Sequence, residues 1–154
     1  MPVTVPELIK NNSANWARAE PATELALQIM LGQIDLNLPI DYLDFLRCSN
    51  GGEGELPIPP YWFQIWAAEA VADANRDYNV TTNLPGYFAF GSSGGGELFL
   101  FDTRREPFRR IFTVPVIPMD ENLAIEIAPD FQSFIAYMGR KLDKQDKERY
   151  EDPN

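Results

Sequence analysis

The sequence predicts an α+β domain, in which an antiparallel β-sheet of several sequential strands is covered by helices. One observation is that short apolar segments at Phe88 and Phe90, at 98–102, at 111–116 and at 122–127 follow one another across turn-length gaps. Consecutive strands of that kind argue for antiparallel neighbours. A second is apolar spacing of helical period at both flanks, in residues 38–49 and 131–138. A third is size, since 154 residues with 45% hydrophobic content suffice for one domain with a sizeable core.

The elements follow in order. Residues 1–21 read as an irregular segment punctuated by Pro2, Pro6 and Pro21, with a short helix starting at Pro6. Thr23 suits the cap of a helix running to Leu31, with Leu25, Ile29 and Met30 inward and Gly32 ending it. The segment around which the chain is organised is 36–52, LNLPIDYLDFLRCSNGG. Pro39 fits its first helical turn after a cap at Asn37 or Leu38. Leu38, Tyr42, Phe45, Leu46 and Ser49 form the inward stripe, and Asn50-Gly51-Gly52 stops the helix.

EGELPIPP at 53–60 reads as a loop. Residues 61–66 alternate as a strand, with Tyr61, Phe63 and Ile65 on one side and Trp62, Gln64 and Trp66 on the other. Core packing is the reading for these rings, a binding surface the alternative. A helix follows over 67–78, burying Ala67, Val71, Ala74 and Tyr78, and 83–86 is a turn around Leu84-Pro85. The glycines at 91, 94, 95 and 96 make a bulged hairpin rather than a phosphate loop, because no Lys-Ser/Thr ending and no helix follow them. Arg104, Arg105, Arg109 and Arg110 flank Glu106-Pro107 in an exposed hairpin connection, with an anion-binding patch as the alternative. Pro115 and Pro118 mark residues 111–116 as an edge or bulged strand. In 122–127, Leu123, Ile125 and Ile127 alternate with Ala124 and Glu126. Asp130 caps the last helix, whose core face is Phe131, Phe134, Ile135 and Met138. The organisation is thus an N-terminal segment over 1–21, one domain over 22–139, and a charged, mobile tail over 140–154.

Composition removes whole classes of chemistry. There is no histidine, so the commonest general base and transition-metal ligand are absent. A single cysteine, Cys48, excludes an internal disulfide and argues against a thiolate zinc site. No metal and no cofactor is expected. No secretory leader is visible, and no apolar run approaches the roughly 20 residues that span a bilayer, so a soluble cytoplasmic protein is expected. Net charge is −10, and residues 19–103 hold twelve acidic side chains against only Arg47 and Arg76. That field repels nucleic acid and anionic membranes and attracts basic partners, or else serves solubility alone.

The ordered set LPIDYLDFLRCSNGG, YWFQIW with its following helix, FAFGSSGGGELFLFD and IAPDFQSFI resembles the SUKH superfamily, in particular its SMI/KNR (cell-wall assembly regulator) type. The matching positions are Leu38, Pro39, Tyr42, Phe45, Leu46, Asn50, Gly51 and Gly52; then Asn75, Tyr78 and Pro85; then Phe90, Gly91, Gly95, Gly96, Glu97 and Asp102; then Ala128, Phe131 and Phe134. The resemblance implies an antiparallel sheet with packed helices and no catalytic activity. It also implies a protein-binding role, as an immunity protein that neutralises a cognate toxin, often a nuclease, or as a regulatory or scaffold protein.

An enzyme built on this chain would run on carboxylates, tyrosine, lysine or the lone cysteine, and Glu53, Glu55, Glu97 and Asp102 are the first to consider. Asp120, Glu121 and Asn122 match no calcium loop. The favoured expectation is a non-enzymatic module that binds a basic toxin domain, with Glu53, Glu55, Glu97 and Asp102 as partner-binding residues because loop carboxylates are not committed to packing. The alternative is a regulatory or scaffold protein without a toxin partner. A homo-oligomer is not indicated.

Overall fold

The computed structural model describes residues 3–104 and 110–140. Expectations for Arg105, Arg109 and residues 141–154 of the tail lie outside them. Seven strands form one antiparallel sheet in sequential order, β1 (Ala17–Arg18), β2 (Gly52–Glu55), β3 (Trp62–Ile65), β4 (Tyr87–Ser92), β5 (Glu97–Asp102), β6 (Ile111–Pro115) and β7 (Ile125–Ala128). The helices are α1 (Val5–Asn12), α2 (Glu24–Gln33), α3 (Ile40–Cys48), α4 (Ala68–Asp77), α5 (Val80–Asn83) and α6 (Phe131–Tyr137). The α+β class with an antiparallel meander is therefore what the sequence predicts.

The core is aromatic. Tyr42 and Phe45 from α3 and Phe131 and Phe134 from α6 lie on Phe63, Phe88, Phe90, Phe99 and Phe101 of the sheet, all fully buried. Phe90 stacks on Phe101 at 4.5 Å between centroids, and Tyr42 meets Phe101 edge-on at 5.3 Å. Each such ring contributes about 1.5–3 kcal/mol by leaving water. The other face of the sheet buries a smaller cluster, in which Val80 and Leu84 cover Tyr87, Ala89, Leu98, Leu100 and Val114.

Local chemistry explains the ends of the elements. The Thr23 hydroxyl accepts from the Ala26 amide at 3.0 Å, and the Asp130 carboxylate from the Ser133 amide at 2.7 Å. Gly51 has φ +102°, and a Cβ there would sit 2.5 Å from the Ile65 carbonyl oxygen, so only glycine lets the exit of α3 pass β3. Asn75 replaces a missing strand neighbour. Its amide accepts from Ala89 N at 2.9 Å and donates to Ala89 O at 2.7 Å, satisfying β4 beyond the end of β3.

Several expectations are corrected. The short helix expected at Pro6 is α1, but the segment around it is more ordered than expected, since Val5 and Ile9 enter the core and Ala17–Arg18 forms β1. Pro39 is the cap of α3, not its first turn. EGELPIPP begins with strand β2, held between β1 and β3. Helix α2 runs through Gly32 to Gln33 and turns Leu25 and Ile29 outward, burying Ala26, Leu27 and Met30. Helix α4 buries Ala68, Val71, Ala72 and Asn75, while Tyr78 stays exposed and stacks on Trp66. Strand β6 is paired on both sides, so its prolines mark a strand end; its bulge lies opposite β7. Leu123 and Ile125 face solvent.

Candidate protein-binding surface

Strand β2 alternates glycine and glutamate for a packing reason. Gly54 faces the core side, where a Cβ would lie 2.6 Å from Trp16 Cβ and 3.2 Å from the Phe63 ring. Glu53 and Glu55 therefore point to the opposite face. Across the ladder Glu53 pairs with Ala17 on one side and Gln64 on the other, and Glu55 pairs with Trp62. The Gln64 amide donates to the Glu53 carboxylate at 3.2 Å and accepts from the Ser92 hydroxyl at 3.4 Å. The Glu55 carbonyl accepts from Gly139 N at 2.8 Å, which ties this corner to the end of α6.

Trp62 is 38% exposed and Tyr61 41% exposed beside these carboxylates. Tyr61 has φ +71°, a conformation that costs a bulky residue energy. Trp16, Ala17, Glu53, Glu55 and Trp62 line an open depression of about 380 Å³. An exposed indole beside carboxylates suits a cationic side chain, which gains from the ring face and from the negative field around it. Sequence reasoning set the Trp62 ring aside as core; its signal was the alternation that places Trp62 opposite Phe63.

The other two carboxylates stand differently. Glu97 is half-buried and accepts from the Ser93 hydroxyl, which itself accepts from Gly95 N at 3.0 Å and Glu97 N at 3.3 Å. It shapes the hairpin, whose Gly94 lies beside the Gln64 amide. Asp102 is at the far end of β5, about 17 Å from Glu97 at the usual strand rise. It is 9% exposed, and its carboxylate holds Arg104 through Nε and Nη2, each at 3.1 Å. Arg104 also reaches Glu121 at 2.5 Å and lies over the Tyr87 ring at 4.7 Å. Asp102 pushes the guanidinium pKa up, Arg104 pulls the Glu121 carboxyl down, and burial chiefly raises the Tyr87 phenol. Asp102 is thus part of an internal clamp, apart from the Glu53 corner.

Other chemistry-bearing groups are occupied. Asp120 caps a 3-10 turn by accepting from Asn122 N at 2.9 Å, and Glu121 belongs to the Arg104 clamp. Burial pushes the Cys48 thiol pKa up, away from a reactive thiolate. Among the described residues no group of three or more His, Cys, Asp or Glu could hold a metal ion, and no helix is long and apolar enough to cross a membrane. A cleft of about 490 Å³ between the end of α2, α4–α5 and β4 presents Asp35, Arg76, Asn79 and Thr82. Arg76 there is paired with Asp73.

A comparison with curated proteins finds no match. The model of the SMI1 / KNR4 family (SUKH-1) matches residues 21–137, from the approach to α2 to the last residue of α6. That span covers α2–α6 and β2–β7 with the glycine turns between them, so the chain belongs to the SMI1 / KNR4 family of the SUKH superfamily.

Proposed function

We propose that this chain is an immunity protein, a non-enzymatic module that binds and neutralises a cognate basic toxin domain in the cytoplasm. The observation that carries the reading is the β1–β3 corner, where exposed Trp62 lies beside Glu53 and Glu55 in a chain of net charge −10. Aromatic anchors with charged neighbours dominate binding energy at protein interfaces. The surrounding acidity steers a basic partner to them and disfavours nucleic acid and anionic lipid. The SMI1 / KNR4 family fits immunity or cell-wall regulatory roles, and the acidic corner favours the first.

The test is association kinetics against the toxin domain encoded by the adjacent gene. Reversing Glu53 and Glu55 together to lysine should slow association about tenfold or more near 0.05 M salt. At about 0.5 M salt, where the Debye length is roughly 4 Å, the difference should largely vanish. Trp62→Ala should instead speed dissociation about tenfold or more. Salt-independent association, or a double reversal without effect, overturns the assignment of this corner. Failure of the wild-type chain to bind the toxin overturns the immunity reading in favour of a regulatory or scaffold role.

A further inference from the structure

Helix α2 has the sequence ELALQIMLGQ, and its only charged residue is Glu24 at the first position. Ala26, Leu27 and Met30 fill the core side. The outward side should then be polar, as it is on ordinary surface helices. Instead Leu25 is 70% exposed and Ile29 54%, and Gln28 and Gly32 complete the same stripe at helical spacing. A helix without a charged face is normally covered on all sides. Gly32 strengthens the point. It sits in the last turn of the helix, and a Cβ at its position would meet nothing within 4 Å, so no packing among the described residues calls for glycine. A glycine on an exposed stripe lets another backbone come close.

The surroundings decide what covers it. Helix α4 lies alongside α2 and exposes Glu69, Asp73 and Asp77, while Glu20 and Asp35 are exposed just before and after α2. The two arginines of residues 19–103 are already engaged, Arg47 with Glu24 and Asp44, and Arg76 with Asp73. A second copy would set two such acidic rims against each other, each on a chain of net charge −10. An apolar stripe with an acidic border is complementary to an amphipathic helix whose apolar face is flanked by Lys and Arg.

We propose that the Leu25–Ile29–Gly32 stripe of α2 is a docking site for a basic amphipathic helix of a partner protein. It is separate from the Glu53 corner and independent of the immunity reading. Helix α2 packs beside α4 and sends Leu27 and Met30 into the core cluster that holds Phe63, whereas Glu53 and Glu55 project from the opposite face of the sheet, so both surfaces can be occupied together.

The probe is a labelled synthetic helix with leucine on one face and lysine on its borders, followed by fluorescence anisotropy, with a glutamate-bordered version as control. The lysine helix should bind saturably at roughly micromolar concentration, as helix-in-groove contacts do, and the glutamate helix should not. Leu25→Ser with Ile29→Ser should weaken binding at least about tenfold, with an unchanged melting midpoint because both side chains are exposed. Glu53→Lys with Glu55→Lys should leave it within about twofold, since that corner lies on the other face. Equal binding by the serine variant, equal binding of both helices, or no saturable binding overturns the proposal. So does a dimer of the unliganded chain by light scattering that the serine variant abolishes, because a second copy would then be the occupant.

Discussion

Tyr42→Phe should stabilise this protein, although it alters the most deeply packed side chain of α3. The Tyr42 ring is fully buried and touches Phe88, Phe90, Phe101 and Phe131 at centroid distances of 5.3–6.1 Å. Its hydroxyl is the one buried side-chain polar atom without a hydrogen-bond partner among the described residues. An unsatisfied buried hydroxyl costs about 1–3 kcal/mol, and phenylalanine keeps every ring contact. Removing one oxygen leaves a void of roughly 10–15 Å³, which at about 24 cal/mol per Å³ returns only some 0.3 kcal/mol. The net gain is about 1–2 kcal/mol, or roughly 2–8 °C in melting midpoint for a domain of this size.

Alkaline pH sharpens the test. Burial raises the Tyr42 pKa above its ordinary value of 10.0. Below that value both folded and unfolded chains keep the proton, and the group adds no pH dependence. Above it the unfolded chain releases the proton while the folded chain holds it, so stability falls as pH rises. The slope from this group is about 1.4 kcal/mol per pH unit, and it is absent from Tyr42→Phe. Denaturant unfolding of both proteins from pH 8 to pH 11 should therefore show the advantage of the variant widening above pH 10. A variant less stable at pH 8, or an advantage that stays constant to pH 11, would refute a solitary buried hydroxyl.

Leu46→Ala should cost about 2–5 kcal/mol in denaturant unfolding, because the side chain is fully buried; Arg47→Ala, whose ion pairs are exposed, should cost about 0.5 kcal/mol or less. Asn75→Ala leaves Ala89 N and O without the side-chain partner they have now, and unfolding should report about 2–4 kcal/mol lost, with little recovered in Asn75→Asp, which cannot donate. Arg104→Ala should lower the melting midpoint by removing the guanidinium paired with the buried Asp102 carboxylate. It should also flatten the acid limb: Arg104 depresses the Glu121 pKa, so that contribution is present above pH 4.5 and is lost as pH falls below it.

The parts of the fold legible in the sequence are those whose signals are local. Thr23 and Asp130 cap helices through hydrogen bonds three residues away, and the β4–β5 hairpin follows from glycines between two apolar runs. The stripe of Tyr42, Phe45 and Leu46 is buried because its period matches one helix face. Of the carboxylates that the sequence offers, Glu53 and Glu55 share one corner. Asp102 does not join them, since it stands at the far end of β5, where it holds Arg104 folded back over Tyr87.

What the amino-acid order determined by itself was the class of fold, the N-terminal caps of α2 and α6, and the acidic character. Each depends on residues within a few positions of one another or on composition. Only tertiary structure made GEGE a strand, because its backbone partners, Arg18 and Ile65 among them, come from segments 34 and 13 residues distant from Gly52. Only tertiary structure chose which side of α2 to bury. That helix is apolar on both sides, so its period names no inward face, and packing beside α4 onto the main core took Leu27 and Met30 and left Leu25 and Ile29 outside.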